Sequence, residues 1–79
     1  MTDTIQSKEY RLLIKALKEA RKKSGLTQEA LATRIRKPQS YIAKVEGFER
    51  RLDILEYLQM AKEIDWNPLP AIKKLWKDL

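Results

Sequence analysis

The sequence predicts an all-α fold, a compact bundle of five short helices, on three observations. Apolar residues recur at helical spacing along the chain. Two Gly and three Pro in 79 residues are too few for strands joined by tight turns. Ser7, Thr27 and Asp53, each able to cap a helix, stand ahead of apolar runs. A chain this short buries only roughly 60–65% of its unfolded surface, so it makes one small domain over 1–79. Its expected core spans 7–65, with a C-terminal helix over 68–78.

The first helix opens at Ser7, with Glu9 in its first turn, and runs through Tyr10, Leu13, Leu17 and Ala20. It stops at Ser24-Gly25, where Gly25 can take the left-handed conformation. The second opens at Thr27 and carries Leu31, Ala32 and Ile35; it ends near Arg36, because Pro38 disfavours helical geometry at Lys37. Pro38 suits the first turn of a third helix, which puts Ile42 and Val45 on one face and ends at Gly47. Asp53 and Glu56 have capping-box spacing. Ile54, Tyr57, Leu58, Ala61 and Ile64 then form an amphipathic face. Trp66-Asn67-Pro68 breaks this helix, and Leu69, Ile72, Leu75, Trp76 and Leu79 mark a fifth.

The composition removes whole classes of function. Without Cys there is no disulfide, thiolate zinc site or thiol nucleophile; without His there is no imidazole base or ligand. No paired carboxylates, nucleophile–base pair or phosphate-cradling loop can be assembled, so an enzyme is not expected, and no cofactor or metal either. The longest apolar runs, Leu12–Ile14 and Leu69–Ile72, are far too short to span a membrane. The polar start Met1-Thr2-Asp3-Thr4 lacks a signal-peptide pattern. A soluble, cytoplasmic protein is expected.

The net charge is +6, and its distribution is uneven. Lys8–Lys23 holds seven Lys/Arg against two Glu, and Arg34–Arg51 six against two. Beyond Leu52 five acids face four Lys. The positive field belongs to the first two thirds of the chain and suits a polyanionic partner. Within it, Thr27–Gly47 reads as two short helices joined by a tight turn, a helix-turn-helix. Small Ala32 lets the helices cross closely, and Leu31, Ile35, Ile42 and Val45 supply a shared core. Gln39, Ser40, Tyr41 and Lys44 form an outward strip whose tips suit a major groove: amides can pair with adenine, Lys with guanine acceptors, and flat surfaces with thymine methyls.

This stretch resembles the Cro/lambda-repressor (XRE) family of DNA-binding domains over about Leu13–Ile64. Leu26-Thr27-Gln28-Glu29-x-Leu31-Ala32 resembles the opening of that family's second helix, and Gln39–Gly47 its recognition helix. Arg50-Arg51-Leu52-Asp53 with Ile54, Leu58 and Ala61 resembles the segment that follows. The resemblance implies phosphate contact by Thr27 and Gln28, and base contact by Gln39, Ser40 and Lys44. Tyr41 would lie near a phosphate or thymine, or else be a half-buried ring over the core edge. Arg50 and Arg51 would follow the sugar–phosphate backbone. Arg21 and Glu46 would pair and aim the recognition helix.

The turn departs from the family pattern. Arg36 stands where Gly is usual, at a left-handed cost of about 1 kcal/mol if the geometry is kept. Lys37 replaces a tucked-in Val, and Pro38 replaces a Ser. Either the turn is remodelled or Lys37 snorkels outward, and both Arg36 and Lys37 add charge beside the phosphate track.

The implied function is a sequence-specific regulator of double-stranded DNA, a repressor acting as a homodimer on a palindromic operator. Trp66, Leu69, Ile72, Leu75 and Trp76 are the candidate dimer surface, unless both Trp simply cap the small core. The alternative is an antitoxin, whose C-terminal face holds a protein toxin while DNA binding autoregulates its operon.

Overall fold

Three helix starts and one helix end are set by a local device legible in the residues there. The structure is a computed structural model and describes residues 7–79; the N-terminal residues Met1–Thr4 considered above lie outside it. Its helices are α1 (Lys8–Lys23), α2 (Gln28–Arg34), α3 (Gln39–Glu46), α4 (Ile54–Glu63) and α5 (Leu69–Asp78), with no strand among the described residues.

The starts follow the capping residues. Ser7 Oγ accepts the Tyr10 N–H, and Thr27 Oγ1 accepts the Ala30 N–H. Asp53 and Glu56 close a full capping box: Asp53 Oδ1 accepts the Glu56 N–H at 2.7 Å, and Glu56 Oε1 accepts the Asp53 N–H at 2.9 Å. Pro38 sits one place earlier than expected, as an extended N-cap (ψ 154°) rather than inside the helix. It has no side-chain oxygen to cap with, and its carbonyl takes the Tyr41 N–H instead.

The ends of α1 to α4 share one motif. In each, the residue after the C-cap turns left-handed and two N–H groups reach back to carbonyls of the last turn. Only α1 uses glycine there (Gly25, φ 78°); Arg36, Phe48 and Asp65 take the position after α2, α3 and α4. The turn of the helix-turn-helix is therefore kept, not remodelled. Lys37 N–H donates to Ala32 O at 2.9 Å and Arg36 N–H to Thr33 O at 3.2 Å, which offsets the strain at Arg36. Gly47 ends α3 for another reason: its φ is −88°, and a Cβ there would stand 3.1 Å from Ala43 O. Close approach, not handedness, favours glycine at that position.

The core joins α1 to α4 through Ile14, Leu17, Leu31, Ala32, Ile42, Val45, Leu52, Tyr57, Met60, Ala61 and Ile64. Ile35 packs against it half-buried. Two polar pins cross it: Tyr10 Oη accepts the Leu52 N–H at 2.9 Å, and Tyr57 Oη donates to Leu13 O at 3.1 Å. Burial pushes the Tyr57 phenol up to about 12. The face of α4 differs from expectation at three places: Ile54 and Leu58 are exposed, and Met60 is buried. Leu52 already fills the end of the core, so the first turn of α4 runs past it.

α5 is the outlier. It packs along α1, where Leu12, Leu13, Ala16, Ala71 and Leu75 line a shallow groove, yet none of its residues is fully buried.

Candidate nucleic-acid interface

α3 presents two different faces. Ile42 and Val45 are buried, whereas Gln39, Ser40 and Lys44 are exposed on the opposite side. This division follows from helical periodicity, because 42 and 45 share a face that 40 and 44 do not. α2 and α3 pack closely on each other, with Leu31 and Ala32 as the buried contribution of α2. The expected helix-turn-helix is therefore formed by α2 and α3; of its outward strip Gln39, Ser40 and Lys44 face solvent, whereas Tyr41 is half-buried.

A chain of hydrogen bonds runs from the core to that strip. Buried Arg21 donates through Nε to Glu46 Oε2 at 2.7 Å and through Nη2 to Glu46 Oε1 at 3.0 Å. Its Nη1 donates to Leu26 O at 2.6 Å. Glu46 Oε1 also accepts Gln28 Nε2 at 2.9 Å, and Gln28 Oε1 accepts Gln39 Nε2 at 2.7 Å. The direction of this chain is dictated by its root. A carboxylate only accepts, so Gln28 must turn its NH2 to Glu46 and its oxygen to Gln39. Gln39 must then offer an N–H to Gln28. What remains at its tip is one N–H and the carbonyl oxygen, the donor and acceptor an adenine edge requires. The Arg21–Glu46 pair thus orients an exposed amide, that of Gln39, through one intermediate, Gln28. Gln28 keeps one amide N–H, and the Thr27 hydroxyl, already accepting in the cap, keeps its proton, so both can still donate.

A second cluster stands at the other side of α3. Tyr41 is half-buried against the core, and its hydroxyl donates to Glu56 Oε2 at 3.2 Å. Lys37 Nζ lies 5.4 Å from the centre of its ring and Arg50 Cζ lies 4.9 Å from it. Arg50 Nη2 also approaches Glu56 Oε2 at 3.5 Å. Burial, above all, raises the Tyr41 phenol above its ordinary value, so it stays protonated and donating. Lys37 has indeed turned outward, onto this ring. The side chains of Arg36 and Arg51 are exposed and make no hydrogen bond or ion pair among the described residues.

The helix-turn-helix family model matches residues 17–65, from the middle of α1 to the loop after α4. Among solved structures, an XRE-family like protein from Pseudomonas syringae pv. tomato str. DC3000 is 39% identical, covers 87% of this chain and 84% of its own, and superposes with a TM-score of 0.80. The chain belongs to the XRE family of helix-turn-helix proteins. No curated protein matches it. The XRE-family helix-turn-helix is a DNA-binding, regulatory fold, not normally an enzymatic one, and none of the described helices is long and apolar enough to cross a membrane.

The expected dimer residues divide in this XRE-family chain. Trp66 packs against the core, edge-on to Tyr57 with ring centres 6.4 Å apart, and Ile72 packs there too. Leu75 lines the groove against α1. Leu69 and Trp76 stand 63% and 76% exposed. One Trp therefore caps the core and the other does not. The hydrogen-bond chain through Gln28 and the second role of Glu56 were not visible in the sequence. Their members lie 11 to 25 residues apart along the chain, and only the spacing of Asp53 and Glu56 hinted that Glu56 had a structural task.

Proposed function

We propose that this protein is a sequence-specific, double-stranded-DNA-binding transcriptional repressor that acts as a homodimer on a palindromic operator. The observation that carries the reading is the exposed Gln39 amide, held by Gln28 with a donor and an acceptor left over. Gln39, Ser40 and Lys44 read base edges. Thr27, Gln28, Arg36, Lys37, Arg50 and Arg51 contact phosphates on both sides of them. Two copies would place their recognition helices about 34 Å apart, one helical turn of DNA. Leu69 and Trp76, the exposed apolar residues of α5, supply the dimer contact with Leu75 at its edge.

Selection of bound sites from random duplexes tests this reading in one experiment. The expected product is a palindrome with half-sites one turn apart; recovery of no enriched sequence would refute it. On the selected site, Gln39→Ala should cost about 1–3 kcal/mol and relax choice at one base position. Trp76→Glu should leave a folded monomer by sedimentation, with binding to the palindrome reduced to that of a half-site. Copurification of a small toxin in place of a second copy would move the assignment to an antitoxin.

A further inference from the structure

Lys37 and Arg50 belong to different loops, one before α3 and one after it, yet both lie over a single ring. Two exposed cations held 5.4 and 4.9 Å from the centre of one ring repel each other, and chains this long lose much rotamer freedom when they are held. Something must offset both costs. The negative face of the Tyr41 ring attracts each cation, and the Glu56 carboxylate compensates Arg50 from 3.5 Å. Glu56 is itself fixed, because its other oxygen closes the α4 capping box. It also takes the Tyr41 hydroxyl, so the ring is anchored by its tip and by the core behind it. With Lys37 and Arg50 positive, Glu56 negative and the phenol neutral, the cluster keeps one uncompensated positive charge on the solvent side.

We propose that Tyr41 is a positioning residue: its ring is a shared platform that preorganises Lys37 and Arg50 as a clamp for phosphodiester oxygens of one DNA strand, and it does not read a base. The hydroxyl that would pair with a base edge is turned to Glu56, and the ring is occupied by cations. Holding both cations in place before contact removes an ordering cost from binding. Arg36 and Arg51, next to them in sequence, lack such a platform and serve as internal controls. The inference rests on the DNA-binding reading above and gives its second cluster a role.

The test is binding of the full chain to a labelled duplex by fluorescence anisotropy across a range of KCl, for Tyr41→Phe, Tyr41→Leu and the wild type. Each neutralised phosphate contributes about 0.9 to the slope of log K against log salt. Tyr41→Phe keeps the platform and should hold the wild-type slope. Tyr41→Leu should flatten it by roughly 1–2 and weaken binding about 5- to 10-fold at low salt, with the same relative preference among duplex sequences. Thermal melts report whether the Leu variant folds. Pentafluorophenylalanine at position 41 keeps the shape but reverses the charge of the ring face, and should flatten the slope as Leu does.

Equal slopes for Phe and pentafluorophenylalanine would overturn the platform. So would an unchanged slope in Tyr41→Leu accompanied by lost preference at one base, which would make Tyr41 a base reader. If the wild type shows no salt-dependent binding to any duplex, the DNA-binding reading itself fails, an outcome separate from these.

Discussion

The helix-turn-helix and the C-terminal helix of this protein use apolar residues in opposite ways. α2 and α3 together span only 15 residues, yet bury Leu31, Ala32, Ile42 and Val45 almost completely. α5 is longer than either and strongly amphipathic by sequence, with Leu69, Ile72, Leu75 and Trp76, but buries none of them fully. Apolar residues recur at helical spacing in both. What separates them is location: α2 and α3 sit between α1 and α4, whereas α5 lies on one side of α1 only. An amphipathic pattern shows that a face is apolar; it does not say whether the same chain covers it.

The largest effect that could break this contrast is a pair of truncations. Leu31→Ala should cost about 2–5 kcal/mol in urea denaturation, as deletion of buried methyl groups usually does. Leu69→Ala should stay within about 0.5 kcal/mol at concentrations where the protein is monomeric. A loss at Leu69 comparable to that at Leu31 would mean that the face of α5 is covered in solution.

Next is the polar root that only the helix-turn-helix half possesses. Glu46→Ala would strand the buried guanidinium of Arg21, keeping just the Leu26 carbonyl as partner, and should destabilise by about 3 kcal/mol. It should also release Gln28 and Gln39, so the Gln39-dependent base preference should broaden even where the variant is fully folded. Stability loss without any change in preference would reduce the hydrogen-bond chain to a structural feature.

Tyr57 stands between the core and α5, bonded to α1 and packed on the Trp66 that leads to α5. Its phenol ionises near 10 in the unfolded chain and about 12 in the fold, so the fold retains a proton the unfolded chain has lost. Stability should be complete below pH 10 and fall as pH rises to 12, by up to about 1.4 kcal/mol per pH unit. Tyr57→Phe should remove most of that alkaline slope and cost about 1 kcal/mol at neutral pH through its lost hydrogen bond. An unaltered slope would place the alkaline transition elsewhere.

The smallest effect sharpens the contrast within the helix-turn-helix itself. Arg36→Gly should relieve the left-handed backbone and raise stability by up to about 1 kcal/mol. The same change removes one charge from the phosphate track, so the salt slope should flatten by about 0.9. Stability and DNA affinity moving in opposite directions would show that this turn holds strain for the sake of charge.

Much of the architecture was legible residue by residue. Ser7, Thr27 and Asp53 announced three starts, Gly25 one end, and the pair Asp53 and Glu56 a complete capping box. The misreadings were local. Pro38 caps rather than begins α3, and the outer residues Ile54 and Leu58 gave way to Met60 in the core. The second depends on what Leu52, ahead of α4, already fills. In the candidate interface, the outward strip and the pairing of Arg21 with Glu46 could be placed from spacing and family resemblance. The bonds that orient Gln39, and the meeting of Lys37 and Arg50 on Tyr41, could not.

The amino-acid order by itself determined where helices begin and stop, which of their faces are apolar, and where positive charge accumulates, because these follow from interactions over three or four residues. Tertiary structure alone decided which apolar faces are covered, which polar tip a buried carboxylate orients, and which cations share one ring. Those outcomes require groups distant in the chain to meet, and only the packing of whole helices brings them within a few ångströms.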